Sequence, residues 1–473
     1  MVSDRQEWGG RADAMNAFES LMWRVEPVSD LRSTCVAIEL LEAAPRWLDF
    51  FAAHEQLVRA APRLRQRVVD PPRGLALPRW TFDPHFDLRY HVRRARVPGD
   101  GTWADLVDAA EVAAMAGFDR SRPPWEAVLY EGLADGRSAY VLKLHHAISD
   151  GLGIMAMLNH LHTPPDPSSA FRSEPVGSFP QPLSRLDVLR LDALERLREV
   201  PAQAHRFGRA SLRRAGAPAD SALSGGRYAA SLRRVLTPPP TEPSPLLQGR
   251  SRVWRFAALD VDFWALRAAA KSVGGSINDA YLAALLGGYR IYHEAMDQPV
   301  DTVPVALPIS LRSATEADGG NEIASARLAG PVAERDPKTR MSAIGAVVRA
   351  ARAEPAMNNI NLIAPLLARV PTTVAARALS TTFAANDLQA SNVTGPRDAV
   401  LAGVAVERMY GWAPLPGCPA MSTLISYRNV ACVAVNYDPA AFTDPTLFVR
   451  SLCEGFDEVL ALAPGTPEPT TAR

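Results

Sequence analysis

Apolar and β-prone positions fill two neighbouring stretches of the chain, residues 125–133 and 138–146, and a short polar segment at 134–137 separates them. Apolar runs of this length predict β-strands, and the Asp and Gly between them predict a hairpin turn. A helical pattern follows the second strand, where Ser149 or Asp150 can cap the free N–H groups of the first turn. The pattern therefore predicts a hairpin that leads directly into a helix.

The same periodicities predict the other regular elements. Strand patterns are present at 34–41, 90–97, 303–312, 421–428 and 431–437, and helical patterns at 103–116, 152–162, 280–294 and 445–462. Pro45 opens a further helix, which is predicted to bury the face formed by Leu48, Phe51, Ala52, Leu57 and Val58. Strands and helices mixed in this order indicate α/β sandwich units.

Chain length and proline clusters predict how these elements divide into domains. At 473 residues the chain is too long for one compact core, so two domains are expected. Prolines at 164–167 and 237–243 mark the ends of a linker. We predict a first domain at 15–163, a linker at 164–250, a second domain at 251–463 with 412–418 completing its sheet, and disordered termini at 1–14 and 464–473.

The linker contains a basic segment with helical spacing. Residues 185–214 hold eight Arg against four acidic residues, with apolar positions at Leu186, Leu189, Ala193, Leu194 and Leu197. A basic amphipathic helix can lie on an anionic lipid surface. A solvated helix that bridges two domains has the same pattern, and we favour that alternative by about two to one.

Composition restricts the classes of protein. Apolar residues make up 47% and charged residues 22% of the chain, as in an ordinary globular protein. Lys+Arg and Asp+Glu are both 51, so no net field attracts nucleic acid. The four cysteines show no C-x-x-C spacing, which argues against a zinc site and a disulfide framework. No secretory signal and no apolar run of about 18 residues are present, so we expect a cytoplasmic protein, with peripheral attachment to the inner face of a membrane as an alternative.

Two adjacent histidines at the end of the second hairpin strand are the strongest chemical signal. Successive strand side chains face opposite ways, so His146 shares a face with Leu144 and His145 faces the other way. A neutral imidazole with a pKa of about 6.5 can accept a proton from a hydroxyl near pH 7. A lone histidine is more often a satisfied core residue, by about three to one. The set His-His-x-x-x-Asp-Gly at 145–151 should arise by chance on the order of once in a thousand such chains, so a functional role is favoured.

The segment at 145–151 resembles the HHxxxDG motif of the chloramphenicol-acetyltransferase-like superfamily. The segments 78–92 and 119–126 are similar to the bacterial wax ester synthase/diacylglycerol acyltransferase family, and the likeness extends from about Phe18 to about residue 460. The resemblance implies two chloramphenicol-acetyltransferase-like α/β sandwich domains with a channel between them.

The resemblance also assigns roles to particular residues. His146 would be the general base, supported by His145, Asp150 and Gly151, and Asp150 would pair with Arg312 of the second domain. The positions expected to support the site or channel are Pro124, Trp125, Asn278, Asp279, Arg312 and Asn392. Glu26 stands where the family has an acidic residue. On its own it would be a solvated charge, by about four to one.

Two positions depart from the family pattern. The family usually has Pro-Leu-Trp where this chain has Pro123-Pro124-Trp125, and the extra Pro removes a backbone donor and stiffens the segment. This change is expected to reshape the acyl channel without touching the base. Thr394 stands where the family usually has Pro, which is a milder difference.

The function implied by the resemblance is acyl transfer from a fatty acyl-CoA to diacylglycerol or a long-chain alcohol. No nucleophilic Ser or Cys, no metal and no other cofactor is implied, and acyl-CoA acts as a co-substrate. Leu142, Leu144, Ile148 and Pro124-Trp125 are expected to line a long acyl channel near His146. Two alternatives remain: an acyltransferase with another acceptor, of the condensation or polyketide-lipid type, and a non-catalytic lipid-binding paralogue.

Overall fold

The computed structural model describes residues 14–72, 75–162, 181–195, 197, 241–310, 323–352 and 370–473. The helices are α1 (Ala17–Val25), α2 (Trp47–Ala60), α3 (Leu88–His91), α4 (Trp103–Met115), α5 (Gly151–Leu161), α6 (Phe263–Ser272), α7 (Ile277–Ala295), α8 (Pro337–Arg352), α9 (Thr372–Ala384) and α10 (Pro445–Leu460). The strands are β1 (Thr34–Leu41), β2 (Gln66–Val69), β3 (Arg79–Phe82), β4 (Val92–Arg96), β5 (Trp125–Glu131), β6 (Ser138–His145), β7 (Arg255–Asp262), β8 (Thr302–Ser310), β9 (Ile323–Pro331), β10 (Leu388–Thr394), β11 (Val400–Leu401), β12 (Val404–Trp412), β13 (Ala420–Tyr427), β14 (Val430–Tyr437) and β15 (Thr471–Ala472).

Two large sheets organise the described chain. The first has six strands in the order β11-β12-β1-β6-β5-β4, and the second has seven in the order β15-β7-β14-β13-β10-β8-β9. One hydrophobic cluster surrounds the first sheet and includes residues from one face of the second sheet, and another cluster lies on the opposite face of the second sheet. In the second cluster the long helix α7 is buried along most of its length, because its Ala- and Leu-rich faces pack under the sheet and against α10. The predicted α/β class with two sheet-containing units is therefore confirmed.

The first sheet contains strands from both ends of the chain. β12 pairs antiparallel with β1, with Ala37 opposite Gly411. The predicted placement of 412–418 in the second sheet is therefore wrong for Trp412, which ends a strand of the first sheet. The predicted boundary at residue 251 is therefore not a boundary of the first sheet, which combines strands from before and after it. Long-range pairing of this kind leaves no local signal in the sequence.

Most predicted elements are confirmed, and the differences have local causes. β1 has its predicted bounds, and β5 and β6 form the predicted hairpin. α2 begins at Trp47 and buries Leu57 and Val58 as predicted, together with Phe50, Ala53 and His54. The predicted face is wrong at Leu48, which is 71% exposed. The predicted strand at 90–97 begins only at Val92, because Asp87 caps a short helix before it.

The C-terminal tail was predicted to be disordered, and that prediction is wrong at its end. Thr471 and Ala472 pair with β7, and the Arg473 guanidinium donates to the Asp260 carboxylate at 2.9 and 3.0 Å. An ion pair and a two-residue bridge therefore hold the last residues. The predicted disorder at 1–14 concerns residues that, apart from Ala14, lie outside the described part of the chain.

Within the predicted linker, residues 185–195 are helical, and 198–214 lie outside the described residues. Val188 is buried against Val69 and Ala76, whereas Leu186 and Leu194 are exposed. The helix therefore packs on the first unit through Val188 and the predicted apolar position Leu189. Across the described ranges, none of the helices is long and apolar enough to cross a membrane.

Candidate active site

Residues His145–Gly151, here called the motif turn, connect β6 to α5. The carboxylate of Asp150 accepts a hydrogen bond from the Gly153 N–H at 2.9 Å and is the N-cap of α5, which confirms one of the two predicted caps. The backbone N–H of His146 donates to the Ser33 carbonyl at 2.7 Å. Hydrogen bonds therefore hold the motif turn to α5 at one end and to the residue before β1 at the other.

The two histidines of the motif turn occupy different environments, as predicted from strand alternation. His145 is fully buried, and its Nδ1 accepts from the Ala147 N–H at 3.0 Å. The ring proton is therefore on Nε2, which lies 3.2 Å from Oε2 of Glu26, although not in line with a hydrogen bond. This arrangement gives His145 a role in fixing the turn.

Glu26 is the clearest residue that isolated sequence reasoning missed. The prediction of a solvated charge is wrong, because Glu26 is 5% exposed at the end of α1. Its Oε2 accepts from the Ser33 N–H at 2.8 Å, and Ser33 in turn accepts from His146. Glu26 thus contacts both His145 and Ser33, the two residues next to His146. The family resemblance at this position was the only signal for it.

His146 reaches a cavity of about 490 Å³ between the two sheets. The residues around this cavity are here called the cavity wall. They come from α1, β1, β12 and α5 on one side and from α9, β8, β9, β10 and β13 on the other. Apolar members of the cavity wall are Phe18, Leu21, Met22, Val25, Leu144, Ile154, Met155, Leu158, Phe383, Val393, Met409, Met421 and Ile425. A cavity of this size and lining is suited to a hydrocarbon chain.

Some members of the cavity wall are polar or ionisable. Burial lowers the pKa of Arg327 on β9. Burial, with a smaller effect from the Glu26 carboxylate, raises the pKa of Cys35 to about 12. The Cys35 thiol therefore stays protonated near pH 7 and is a poor nucleophile. The described cavity wall also contains the imidazole of His146.

Gly151 of the motif turn lies close to Val393 of the second unit. A Cβ placed on Gly151 would lie 3.3 Å from Cγ2 of Val393 on β10. That distance is tighter than ordinary van der Waals contact, so a larger residue would push the units apart. The absence of a side chain at Gly151 therefore gives room to the side chain of Val393.

Pro124 and Trp125 support the motif turn from behind and, among the described residues, do not line the cavity. The Pro124 carbonyl accepts from the His145 N–H at 2.9 Å, and the Trp125 indole donates to the Leu64 carbonyl at 2.7 Å. Their predicted place in the channel lining is therefore wrong. Leu144 does line the cavity, whereas Leu142 and Ile148 pack in the core.

The other supporting residues are also placed differently from expectation. Asn278 and Asp279 lie in the first turn of α7, where Asp279 and Ser276 cap each other, and neither is among the described residues of the cavity wall. Asn392 is exposed on the far face of β10, because the cavity face of that strand carries Ser391 and Val393. Arg312 lies outside the described residues, so its pairing with Asp150 stays a prediction.

Comparisons with known proteins identify the family. The family model described as the wax ester synthase/diacylglycerol acyltransferase catalytic domain matches residues 15–281, and that of the WS/DGAT C-terminal domain matches residues 319–460. A Mycobacterium tuberculosis protein with the provisional name diacylglycerol O-acyltransferase is 42% identical over 476 residues, covering 97% of this chain and 94% of that protein.

Solved structures agree on the fold. A wax ester synthase/diacylglycerol acyltransferase from Marinobacter aquaeolei VT8 matches with a TM-score of 0.61 at 18% identity, covering 94% of this chain and 98% of that one. The first condensation domain of the calcium-dependent antibiotic synthetase, in complex with a substrate analogue, matches with a TM-score of 0.61 at 14% identity, covering 97% and 98%. The predicted two-domain fold is confirmed by these matches, and the chain belongs to the wax ester synthase/diacylglycerol acyltransferase family.

Proposed function

We propose that this protein transfers a long-chain fatty acyl group from acyl-CoA to a lipid hydroxyl, either diacylglycerol or a long-chain alcohol. The observation that carries the proposal is the position of His146, which reaches a largely apolar cavity of about 490 Å³ between the two sheets. A base at the wall of an apolar cavity can meet a hydroxyl and a thioester while water is kept away. Family membership supports the same reaction class.

In the proposed reaction the imidazole of His146 takes the proton of the acceptor hydroxyl as its oxygen attacks the thioester carbonyl. The new C–O bond forms, and the C–S bond breaks when the tetrahedral intermediate collapses. The proton held by His146 then passes to the departing CoA sulfur, which leaves as a thiol. Because both substrates bind together, no covalent enzyme intermediate, metal or other cofactor takes part.

A long acyl chain gains more from this cavity than a short one. Each buried methylene contributes about 0.8 kcal/mol at most, so extension from C2 to C16 adds up to roughly 11 kcal/mol before ordering costs. A third of that gain would favour palmitoyl-CoA over acetyl-CoA by some hundredfold in kcat/KM. The two donors should be compared at equal concentration with one alcohol acceptor. Equal accumulation of the two esters would indicate a short-chain acetyltransferase instead.

The acceptor is tested with labelled palmitoyl-CoA, purified protein and a panel of acceptors, followed by separation of the lipids. We expect label in triacylglycerol when diacylglycerol is supplied, or in wax ester when hexadecanol is supplied. Amine acceptors belong in the same panel, because condensation domains share the fold. Label in an amide alone would favour a condensation-type enzyme. Label in no product would favour a lipid-binding paralogue.

We further propose that the helix at 185–195 contacts an anionic lipid surface, where such acceptors reside. Its exposed face carries Leu186 and Leu194, and Arg190 is exposed beside them. Exposed leucines next to a cation suit the headgroup region of an anionic bilayer. Flotation with phosphatidylglycerol vesicles should recover the wild-type protein and less of a Leu186→Ser/Leu194→Ser variant. Equal recovery of both proteins would contradict this contact.

A further inference from the structure

The cavity is narrow where Gly411 on β12 faces Ile425 on β13. A Cβ placed on Gly411 would lie 3.1 Å from Cδ1 of Ile425, and no other atom would lie within 4 Å of it. Both residues belong to the cavity wall. The absence of a side chain at Gly411 is therefore what leaves room between the two sheets at this point.

This narrow point lies close to the motif turn. Val393 and Ile425 are paired neighbours on the parallel strands β10 and β13. Gly151 faces Val393, and Gly411 faces Ile425. Since paired strands are about 4.8 Å apart, the gap at Gly411 is about one strand spacing from the start of α5. His146, Gly411 and Ile425 all line the same cavity, so a chain attached to a carbonyl at His146 can extend towards this gap.

On the side of the first sheet, the residues around the gap are apolar. Ala37 on β1 is paired with Gly411 and also lines the cavity. Met409 lies two residues before Gly411 on the same strand and also belongs to the cavity wall. On β10 the polar wall residues Gln389 and Ser391 precede Val393, so the hydrogen-bonding groups lie towards the other end of that strand.

A saturated acyl chain fits this gap better than a diacylglycerol does. The acyl chain has no polar atom beyond its carbonyl, so it leaves no group unpaired among Ala37, Met409 and Ile425. Diacylglycerol carries two ester groups within a few bonds of its hydroxyl, and these need polar partners that the gap does not offer. The glycine also lets the chain pass without displacing backbone.

We propose that Gly411 is a specificity-determining residue and that the acyl chain of the donor passes between Gly411 and Ile425. This inference rests on the proposed acyl transfer and adds which part of the cavity holds the acyl group. A side chain at position 411 would close the gap to long chains and leave room for a short acyl group at His146.

The test compares butyryl-CoA and palmitoyl-CoA as donors with one fixed acceptor, in the wild type and in Gly411→Val. Valine suits a β-strand and fills the gap. We expect kcat/KM for palmitoyl-CoA to fall at least thirtyfold (roughly the effect of excluding a few methylenes) and that for butyryl-CoA to change less than threefold. Ala405→Val is the matched control, because it adds similar volume to β12 at a position outside the described cavity wall.

A second pair of variants separates a closed gap from a damaged fold. Gly411→Ala should show a smaller shift in the same direction, and Ile425→Ala added to Gly411→Val should restore much of the use of palmitoyl-CoA. An equal loss for both donors, or a shift in alcohol length preference in place of acyl length, would overturn the inference. An unchanged donor preference in Gly411→Val would do the same while the proposed function stands. A wild type that makes no palmitoyl ester would instead remove the proposed function.

Discussion

The motif turn and the cavity wall are two regions of one site with opposite origins. The motif turn consists of seven consecutive residues, and its cap and its internal bond from Ala147 to His145 are local. The cavity wall is assembled from segments that lie far apart in the sequence, from Phe18 on α1 to Ile425 on β13. The proposed proton transfer therefore rests on local geometry, whereas the proposed selection of substrate rests on long-range packing.

The largest expected effect on stability comes from the ion pair that the resemblance implies between the motif turn and the second domain. The family resemblance implies that Asp150 pairs with Arg312, and the structure shows that Asp150 also caps α5. Asn is as good a cap as Asp, so Asp150→Asn removes only the charge. If the pair is buried, its loss should lower the free energy of unfolding by about 3–5 kcal/mol, measured by chemical denaturation. A variant as stable as the wild type would mean that Asp150 acts as a cap alone.

A pH-dependent effect is expected beside the cavity wall, at Asp387. Burial raises the pKa of Asp387 to about 7, although its carboxylate accepts from the Ser244 N–H at 2.6 Å. The folded chain therefore holds this proton more tightly than the unfolded chain, so stability falls as pH rises from about 4 to 7. Between pH 5 and pH 7.5 the wild type should lose about 2–3 kcal/mol more than Asp387→Asn. Equal losses in the two proteins would contradict this assignment.

Variants of Glu26 test whether the motif turn keeps its stability without support from α1. Glu26→Leu would leave the His145 Nε2–H and the Ser33 N–H without the carboxylate that both now face. Losing a hydrogen bond to a charged group costs about 1.5–3 kcal/mol, and turnover should fall as well because His146 is bonded to Ser33. Glu26→Gln, which keeps an acceptor oxygen, is the matched control and should lose less. Full stability in Glu26→Leu would show that the turn needs no support from α1.

The smallest expected effect comes from the contact between Gly151 of the motif turn and Val393 of the cavity wall. Gly151→Ala would bring its Cβ to 3.3 Å from Cγ2 of Val393, so one side must move by a few tenths of an ångström. We expect a loss of only a few fold in kcat, on the order of 1 kcal/mol of overpacking. Adding Val393→Ala should restore the rate. A double variant no better than Gly151→Ala would place the cause within the motif turn.

The sequence predicted most of the motif turn and little of the cavity wall, for a physical reason. The strand β6, the cap at Asp150 and the opposite faces of His145 and His146 follow from periodicity and capping, which are local. The pairing of Ala37 with Gly411 joins residues from opposite ends of the chain, so no local pattern predicts it. Likewise, Asn392 is predicted at the site, but Ser391 faces the cavity in the structure. The register of the strand decides which of the two faces the cavity, and the local sequence does not fix that register.

The most direct test of the role of His146 is the turnover of His146→Ala with palmitoyl-CoA and an accepted alcohol. We expect a loss of roughly 10²–10⁴ in kcat at an unchanged melting temperature, because His146 reaches the cavity and its backbone bond to Ser33 is kept. His160→Ala is the control, since His160 is exposed on α5, outside the motif turn. A folded His146→Ala protein with wild-type turnover would contradict the central claim that His146 is the base.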